Sequence, residues 1–492
     1  MPKKWLILFV KDLRNDFNDR EQMKRLLTFF LLAVMAGIIP AIAQNERSSF
    51  EEFRKEVRGN FQNFRKKVFE DYDKYLDGIW KEYNAFKGEE RNPIPKPKQV
   101  PVSENAEPLP SQSPKMSPKK EPEPQMTTSD KIYYYGLEIA MPFIEISNTL
   151  PNGKNQKDYA KLWKIFSHHK IERHVLPTLL QTAEDCNFND WFTFDFVRQY
   201  VNTFFDKESS GTRISLLHYL MKHAGYDVRI GLKEEGNPVL FVAFEQKVYA
   251  RGYCVFNDTP YYIFYDIKDE QDVLGSSRFY TCDIPANIDN GKKLDLLIKK
   301  NIMMPDMPET YQFSYKDLSI QGTLNANVIQ MLHHYPQMPV ECYAKSIIDT
   351  ELRKNIVRQL KIQLQAISTK TAIDTILQFV QYAFQYATDD EQHGFEKPYF
   401  FEEILYYPKC DCEDRSVFYS YLLWEVLNVE NHLIEYPGHE CVAVYLENPI
   451  NGHGYRYDNK TFYISDPTYI GATTGMCMPN YIDNKPKIEL SR

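Results

Sequence analysis

The chain has 492 residues, 43% hydrophobic and 26% charged, with a formal net charge of −8. That length and mix suit a globular protein of two or three domains and exclude a disordered chain or a polytopic membrane protein. The acidic balance excludes a general nucleic-acid binder, and eight Cys in this length are too few for a disulfide scaffold.

The first hydrophobic segment reads as an export signal. Lys24 and Arg25 supply a positive start, Leu26 to Ile39 is an uncharged apolar run, and Ala41-Ile42-Ala43 offers the small-x-small pattern of a cleavage site. Residues 1–43 are therefore expected to be leader and signal peptide, with Met1 or Met23 as the start. The mature protein is expected to be periplasmic or secreted. The apolar run is shorter than the roughly 20 residues a membrane span needs.

Residues 44–91 carry an eleven-residue repeat. Phe50, Phe61, Tyr72 and Tyr83 share one phase, Phe53, Phe64, Tyr75 and Phe86 a second, and Val57, Val68 and Ile79 a third. Eleven residues over three helical turns keep these positions on one nearly straight stripe. A long amphipathic stalk helix that self-associates, as in a coiled coil, is expected. Residues 92–127 hold ten of the 29 prolines and read as an extended linker.

Residues 128–345 are expected to be a mixed α+β domain. Val239 to Phe244 and Tyr261 to Tyr265 read as strands, Ile214 to Ala224 as a helix, and 310–345 as strand-rich. Residues 346–492 form the second domain. There 350–386 reads as helical, with Ile373, Ile376, Phe379, Val380, Ala383 and Phe384 on one apolar face.

The chemistry concentrates after residue 390. Lys409-Cys410-Asp411-Cys412-Glu413-Asp414-Arg415-Ser416 precedes Val417, Phe418, Tyr421, Leu422 and Val426 at helical spacing, so Cys412 opens a helix. Free N–H groups and the helix dipole at that place are expected to lower the thiol's pKa from about 8.5 and to receive an oxyanion. Gly438-His439 stands before a strand that alternates from Val442. Asn451-Gly452 signals a hairpin turn. Phe462 to Ser465 reads as the returning strand and ends in Asp466-Pro467-Thr468.

These residues resemble the transglutaminase-like superfamily, whose core is papain-like. Its pattern is a C-x-D opening a helix, a Gly-His before a strand and an Asp-Pro-Thr after the next strand. Here Cys412-Glu413-Asp414, Gly438-His439 and Asp466-Pro467-Thr468 follow in that order. The resemblance covers about residues 372–480. It implies an α+β fold with a papain/transglutaminase-like core and an antiparallel sheet. It also implies a triad: Cys412 as nucleophile, His439 as base and acid, Asp466 orienting the imidazole. Asp414 and Arg415 would support the nucleophile structurally. Tyr406 and Tyr407 are candidates for the oxyanion or cleft, and Glu391 to Lys397 for the cleft wall.

Other readings compete. Cys410, Cys412, His439 and Cys441 offer a zinc ligand set, but C-x-C is a poor knuckle and Asp466 would have no role. No metal and no cofactor is expected, and no EF-hand pattern occurs. His168, His169 and His174, like His333 and His334, are poorly spaced as ligands. Cys410 can pair with Cys441 or Cys477 as a structural disulfide.

An echo precedes the motif region by roughly 200 residues. Arg213 to Leu220 parallels Arg415 to Leu422, Val242-Ala243 parallels Val442-Ala443, and Tyr262-Ile263 with Asp266 parallels Tyr463-Ile464 with Asp466. A duplicate would hold Ser210 at the nucleophile's place and no His.

The function expected is an exported cysteine peptidase or amidase working through an acyl-enzyme on a protein, peptide or cell-wall peptide. A transglutaminase and a non-catalytic envelope binding protein with a relic triad are the alternatives. No nucleic-acid partner is expected.

Overall fold

The structure is a computed structural model. It describes residues 131–144, 146, 149–233, 238–266, 279–281 and 291–492. The expected signal peptide, stalk and linker lie outside the described residues. Among the described residues no helix is long and apolar enough to cross a membrane.

The fold is α+β with antiparallel sheets, and one topology occurs twice. The first half opens with a hairpin, β1 (Lys131–Tyr134) and β2 (Leu137–Ala140). Helices follow, among them Gln156–His168, Asp190–Phe204 and Ser210–His223. Then come β3 (Val228–Lys233), β4 (Pro238–Ala243), β5 (Tyr253–Phe256), β6 (Thr259–Phe264) and β7 (Phe279–Thr281), in sheet order β5-β6-β4-β3-β7.

The second half opens with the hairpin β8 (Pro308–Tyr315) and β9 (Leu318–Asn325). Its main helices are Thr350–Leu364, Thr369–Ala383 and Cys412–Leu427. Between the last two, β10 (Gln385–Tyr386) runs parallel to β11 (Lys409–Cys410). The sheet comprises β12 (Asn431–Tyr436), β13 (His439–Tyr445), β14 (Gly454–Tyr457), β15 (Lys460–Ser465) and β16 (Lys487–Ser491), in order β14-β15-β13-β12-β16. Position for position this is the order of the first sheet. Even the tight turns agree: Asn257-Asp258 joins β5 to β6 and Asp458-Asn459 joins β14 to β15, all four residues at positive φ. Asn and Asp tolerate that conformation, and it matches the twist of paired strands.

Period two explains how each sheet is covered. Leu433, Val442 and Val444 join the main core, whereas their neighbours Ile434, Cys441 and Ala443 join a second small cluster with Phe462, Ile464 and Cys477. The first sheet divides in the same way, with Val239, Phe241, Ala243, Tyr261 and Ile263 in its own small cluster. Each sheet thus buries both faces, which is why β4 and β13 read as nearly unbroken apolar runs. The helices Ser210–His223 and Cys412–Leu427 are buried around most of their circumference. That is the mark of a central helix.

The strands at 239–244 and 261–265 and the helix at 214–224 lie within a residue or a turn of their expected places. The apolar face of the 350–386 region is buried as expected, in two helices rather than one. Two expectations are corrected. Residues 310–345 are strand only as far as Asn325. There the Asn325 side chain accepts the Asn327 N–H at 3.1 Å and starts a helix, Ala326–Leu332, and a second helix follows at Val340–Lys345. Asn451-Gly452 is not the hairpin turn. A Cβ on Gly452 would come within 2.7 Å of the Gly475 backbone, so this glycine permits a close approach of two loops. The turn lies instead at Asp458-Asn459.

Candidate active site

Cys412 is the first residue of the central helix. The helix starts there because Asp411 is extended (φ −112°, ψ −152°) and Asp414 reaches back. Asp414 Oδ2 accepts the Asp411 N–H at 3.0 Å, and Oδ1 accepts the Tyr399 N–H at 2.7 Å. Both are helix-start donors or loop donors that would otherwise be stranded. Arg415 is fully buried. It donates to Phe384 O at 2.7 Å and Pro467 O at 3.4 Å, and its Nε lies 3.4 Å from Cys410 Sγ. It therefore ties the helix start to β10 and to the Asp-Pro-Thr loop.

His439 opens β13, and Asp466 follows the last residue of β15. Because β13 and β15 are antiparallel neighbours, a strand start meets a strand end. His439 Nε2 lies 2.8 Å from Asp466 Oδ2. Asp466 Oδ1 accepts the Thr468 N–H at 2.8 Å and the Tyr469 N–H at 3.3 Å. Gln381, buried on the Thr369–Ala383 helix, donates to the carbonyls of Asp466, Tyr469 and Ala472. The carboxylate is thus fixed, and the imidazole keeps Nδ1 for other work.

The side chains of Cys412 and His439 do not bond to one another. The Cys412 thiol donates to Glu413 Oε2 at 3.1 Å, and the Glu440 backbone N–H, one residue past His439, points to the same sulfur. Cys412 is 2% exposed, His439 6% and Asp466 2%, so the site is closed. Tyr481 closes it: its ring stacks on His439 with centroids 5.3 Å apart and planes 9° apart.

The expected low thiol pKa is overturned. Burial pushes the Cys412 thiol well above its usual range, and the Glu413 and Asp411 carboxylates push the same way. The acidic residues that suit a helix N-terminus outweigh its dipole at the sulfur.

Those acids belong to a cluster that sequence reasoning missed. Carboxylate oxygens of Asp389, Asp411 and Glu413 all lie within 4.8 Å of one another, and all three residues are buried. Both oxygens of Asp411 lack a hydrogen-bond partner. Burial and like charge push Asp389 and, close by, Glu396 up to about 9. Three convergent carboxylates of this kind can hold a hard divalent cation. The expected cleft segment Glu391 to Lys397 does face the Cys helix, through Glu396. Lys397 is spent on Glu403, at 2.6 Å.

Tyr406 and Tyr407, the candidates for the oxyanion or cleft, follow the short turn Glu403–Leu405. Their rings pack in an aromatic cluster with His393 and Tyr399, and the Tyr407 hydroxyl meets His333 Nδ1 at 3.2 Å. Tyr386 is a neighbour of Cys412. Its hydroxyl is buried without a partner, and Cys412 is near enough for its charge to raise it. The signal for Tyr386 is its pairing through β10 with Cys410, which no local pattern reveals.

The seven described Cys are free and buried. Cys410 Sγ lies 3.6 Å from Gln385 O and beside Arg415, so its pairing with Cys441 or Cys477 is not made. The zinc set is not assembled either: the group around His439 contains Cys441 and Asp466, while Cys412 bonds Glu413.

In the first half Ser210 opens the central helix, Pro238 opens β4, and Asp266 follows β6. Ser210 holds the place of Cys412, and Pro238 and Asp266 each lie within one residue of the places of His439 and Asp466. Asp266 is bound there by Arg213, whose Nε lies 2.9 Å from Oδ2 and 3.1 Å from Oδ1. Compared with protein-family models, with curated proteins and with solved structures, the chain matches none.

Proposed function

We propose that the second half is a cysteine peptidase or amidase of the transglutaminase-like kind, with a papain-like core, acting through Cys412, His439 and Asp466. The observation that carries this reading is the buried His439–Asp466 bond, which leaves Nδ1 unspent, next in sequence to Glu440, whose N–H meets the Cys412 sulfur at the helix start.

The chemistry runs as follows. The Cys412 side chain turns from Glu413 to His439, and Nδ1 accepts its proton as the sulfur attacks an amide carbon. Apo catalytic contacts are commonly loose and tighten with substrate. The C–S bond forms, and N–H groups at the helix start with the Tyr386 hydroxyl meet the oxyanion. The imidazolium, held by Asp466, protonates the leaving amine, and the C–N bond breaks. Water then attacks the thioester, His439 taking its proton, and releases the acid. An amine in place of water gives transamidation, the alternative outcome.

The first half is the degenerate sibling of this domain, with Ser210 and Pro238 where the chemistry would be. If residues 1–43 direct export, the substrates are proteins, peptides or cell-wall peptides outside the cytoplasm. The relic reading has one observation in its favour, the thiol bonded to Glu413 rather than to His439.

Peptide-library profiling of wild type against Cys412→Ala, with and without an added amine, decides between them. Cleavage or amine incorporation in wild type alone supports the enzyme. Product from both proteins sinks the nucleophile, and product from neither, nor from Tyr481→Gly with the covering ring removed, supports the relic.

A further inference from the structure

Residues 476–486 form a connection between two anchored points. Before them, the Gly475 N–H bonds Ile464 O at 2.7 Å; after them, Lys487 pairs with Glu435 in the sheet. Within the segment, backbone bonds run to its own carbonyls, Tyr481 N to Met478 O and Asn484 N to Tyr481 O. Pro479, Asn480 and Ile482 to Lys485 are exposed. Tyr481 turns the other way. Its ring lies on His439 and also on Tyr436, with centroids 4.9 Å apart and planes 18° apart. Tyr436 and His439 are cross-strand partners of β12 and β13, so their side chains share one face. A single aromatic ring on a mostly exposed segment therefore covers a Tyr–His platform and seals the cysteine beneath.

We propose that residues 479–485 are an autoinhibitory flap, and that Tyr481 occupies the subsite for an aromatic or broad apolar side chain of the peptide substrate on the Tyr436–His439 platform. The inference rests on the reading of Cys412 and His439 given above. The physical basis is that an occupant displacing Tyr481 must offer the same flat apolar face to both rings. A closed cysteine must also be uncovered before any carbonyl can reach it. Cys477 and Met478 are buried and anchor its start; beyond them aromatic stacking holds the flap, so it can open without unfolding the sheet.

Two measurements test this. Iodoacetamide alkylation, mapped by peptide mass, is followed at Cys412 and at Cys254 in wild type, Tyr481→Gly and Tyr481→Phe. Tyr481→Gly is expected to label Cys412 at least tenfold faster, on the order expected from losing two ring contacts, with Cys254 unchanged. Tyr481→Phe keeps the stack and should label like wild type. Unchanged labelling of Cys412 in Tyr481→Gly overturns the flap, and so does equal acceleration at Cys254, which marks a loosened fold. Cleavage of paired peptides, with Phe or Asp beside the scissile bond, is then followed in Tyr481→Gly. Preference for Phe supports the subsite, and equal cleavage overturns it. Faster labelling without any cleavage leaves the flap standing and removes the hydrolase reading.

Discussion

Asp466 accepts from His439, whereas Asp266, one residue further past the equivalent strand of the first half, accepts from Arg213. The second half has the matching arginine too, but Arg415 is turned to main-chain carbonyls at Phe384 and Pro467. One topology therefore uses one carboxylate in two ways. Where the arginine takes it, the site is a buried ion pair; where the arginine is satisfied by backbone, the carboxylate is left to an imidazole.

Asp466→Asn should separate orientation from architecture. Asn keeps an oxygen for the Thr468 and Tyr469 N–H groups but cannot balance an imidazolium. Turnover of a cleaved peptide should fall on the order of 10²–10⁴-fold, while the thermal midpoint moves little. Steady-state kinetics with a melting curve on each protein checks both halves of the expectation.

Tyr386→Phe removes one hydroxyl and no packing. If that hydroxyl meets the oxyanion, kcat should drop by about 10²-fold with KM nearly unchanged, since the contact exists only in the transition state. A rise in KM at constant kcat would place Tyr386 in ground-state binding.

The Arg213–Asp266 pair should be costly to break and cheap to replace. Arg213→Met alone leaves Asp266 buried and unpaired, a loss of roughly 3–5 kcal/mol. Arg213→Met with Asp266→Leu removes both charges and should recover most of it. Urea denaturation of the single and double variants measures the difference. Alkylation of Cys412 should be the same in both, because the pair lies in the other half.

His218 makes stability depend on pH. Burial pushes its pKa down to about 3, with Lys222 adding to the effect, and its Nε2 has no partner. The unfolded chain takes the proton near 6.5 and the folded chain does not. Stability from this group is therefore complete above pH 6.5 and is lost as pH falls from there toward 3, by about 1.4 kcal/mol per pH unit. The difference in melting temperature between wild type and His218→Leu should shrink in that direction between pH 7 and pH 5.

The trio of Asp389, Asp411 and Glu413 should respond to a hard cation. In chelator, Asp411→Asn relieves repulsion among buried carboxylates and should raise the melting temperature. Millimolar calcium should stabilise wild type, by about 2.7 kcal/mol at a hundred times the dissociation constant, and should leave Asp411→Asn unmoved. Differential scanning fluorimetry reads both effects.

Local pattern made much of this fold legible. The helix at Cys412, the strand at His439 and the strand end at Asp466 follow from apolar spacing and from acids before a helix, which are properties of short stretches of chain. The twofold topology was visible in outline, because like folds keep similar spacing: Arg213 and Asp266 are 53 residues apart, Arg415 and Asp466 51. Tertiary structure alone decided the rest. The carboxylate trio joins residues of two segments, Tyr386 arrives through a parallel strand pair, and Tyr481 reaches His439 from the far end of a loop. The thiol's direction of shift was decided there as well. A helix N-terminus favours a thiolate wherever water or cations surround it, but here burial and converging carboxylates outweigh the dipole. Only the packed structure fixes which of those charges lie within reach.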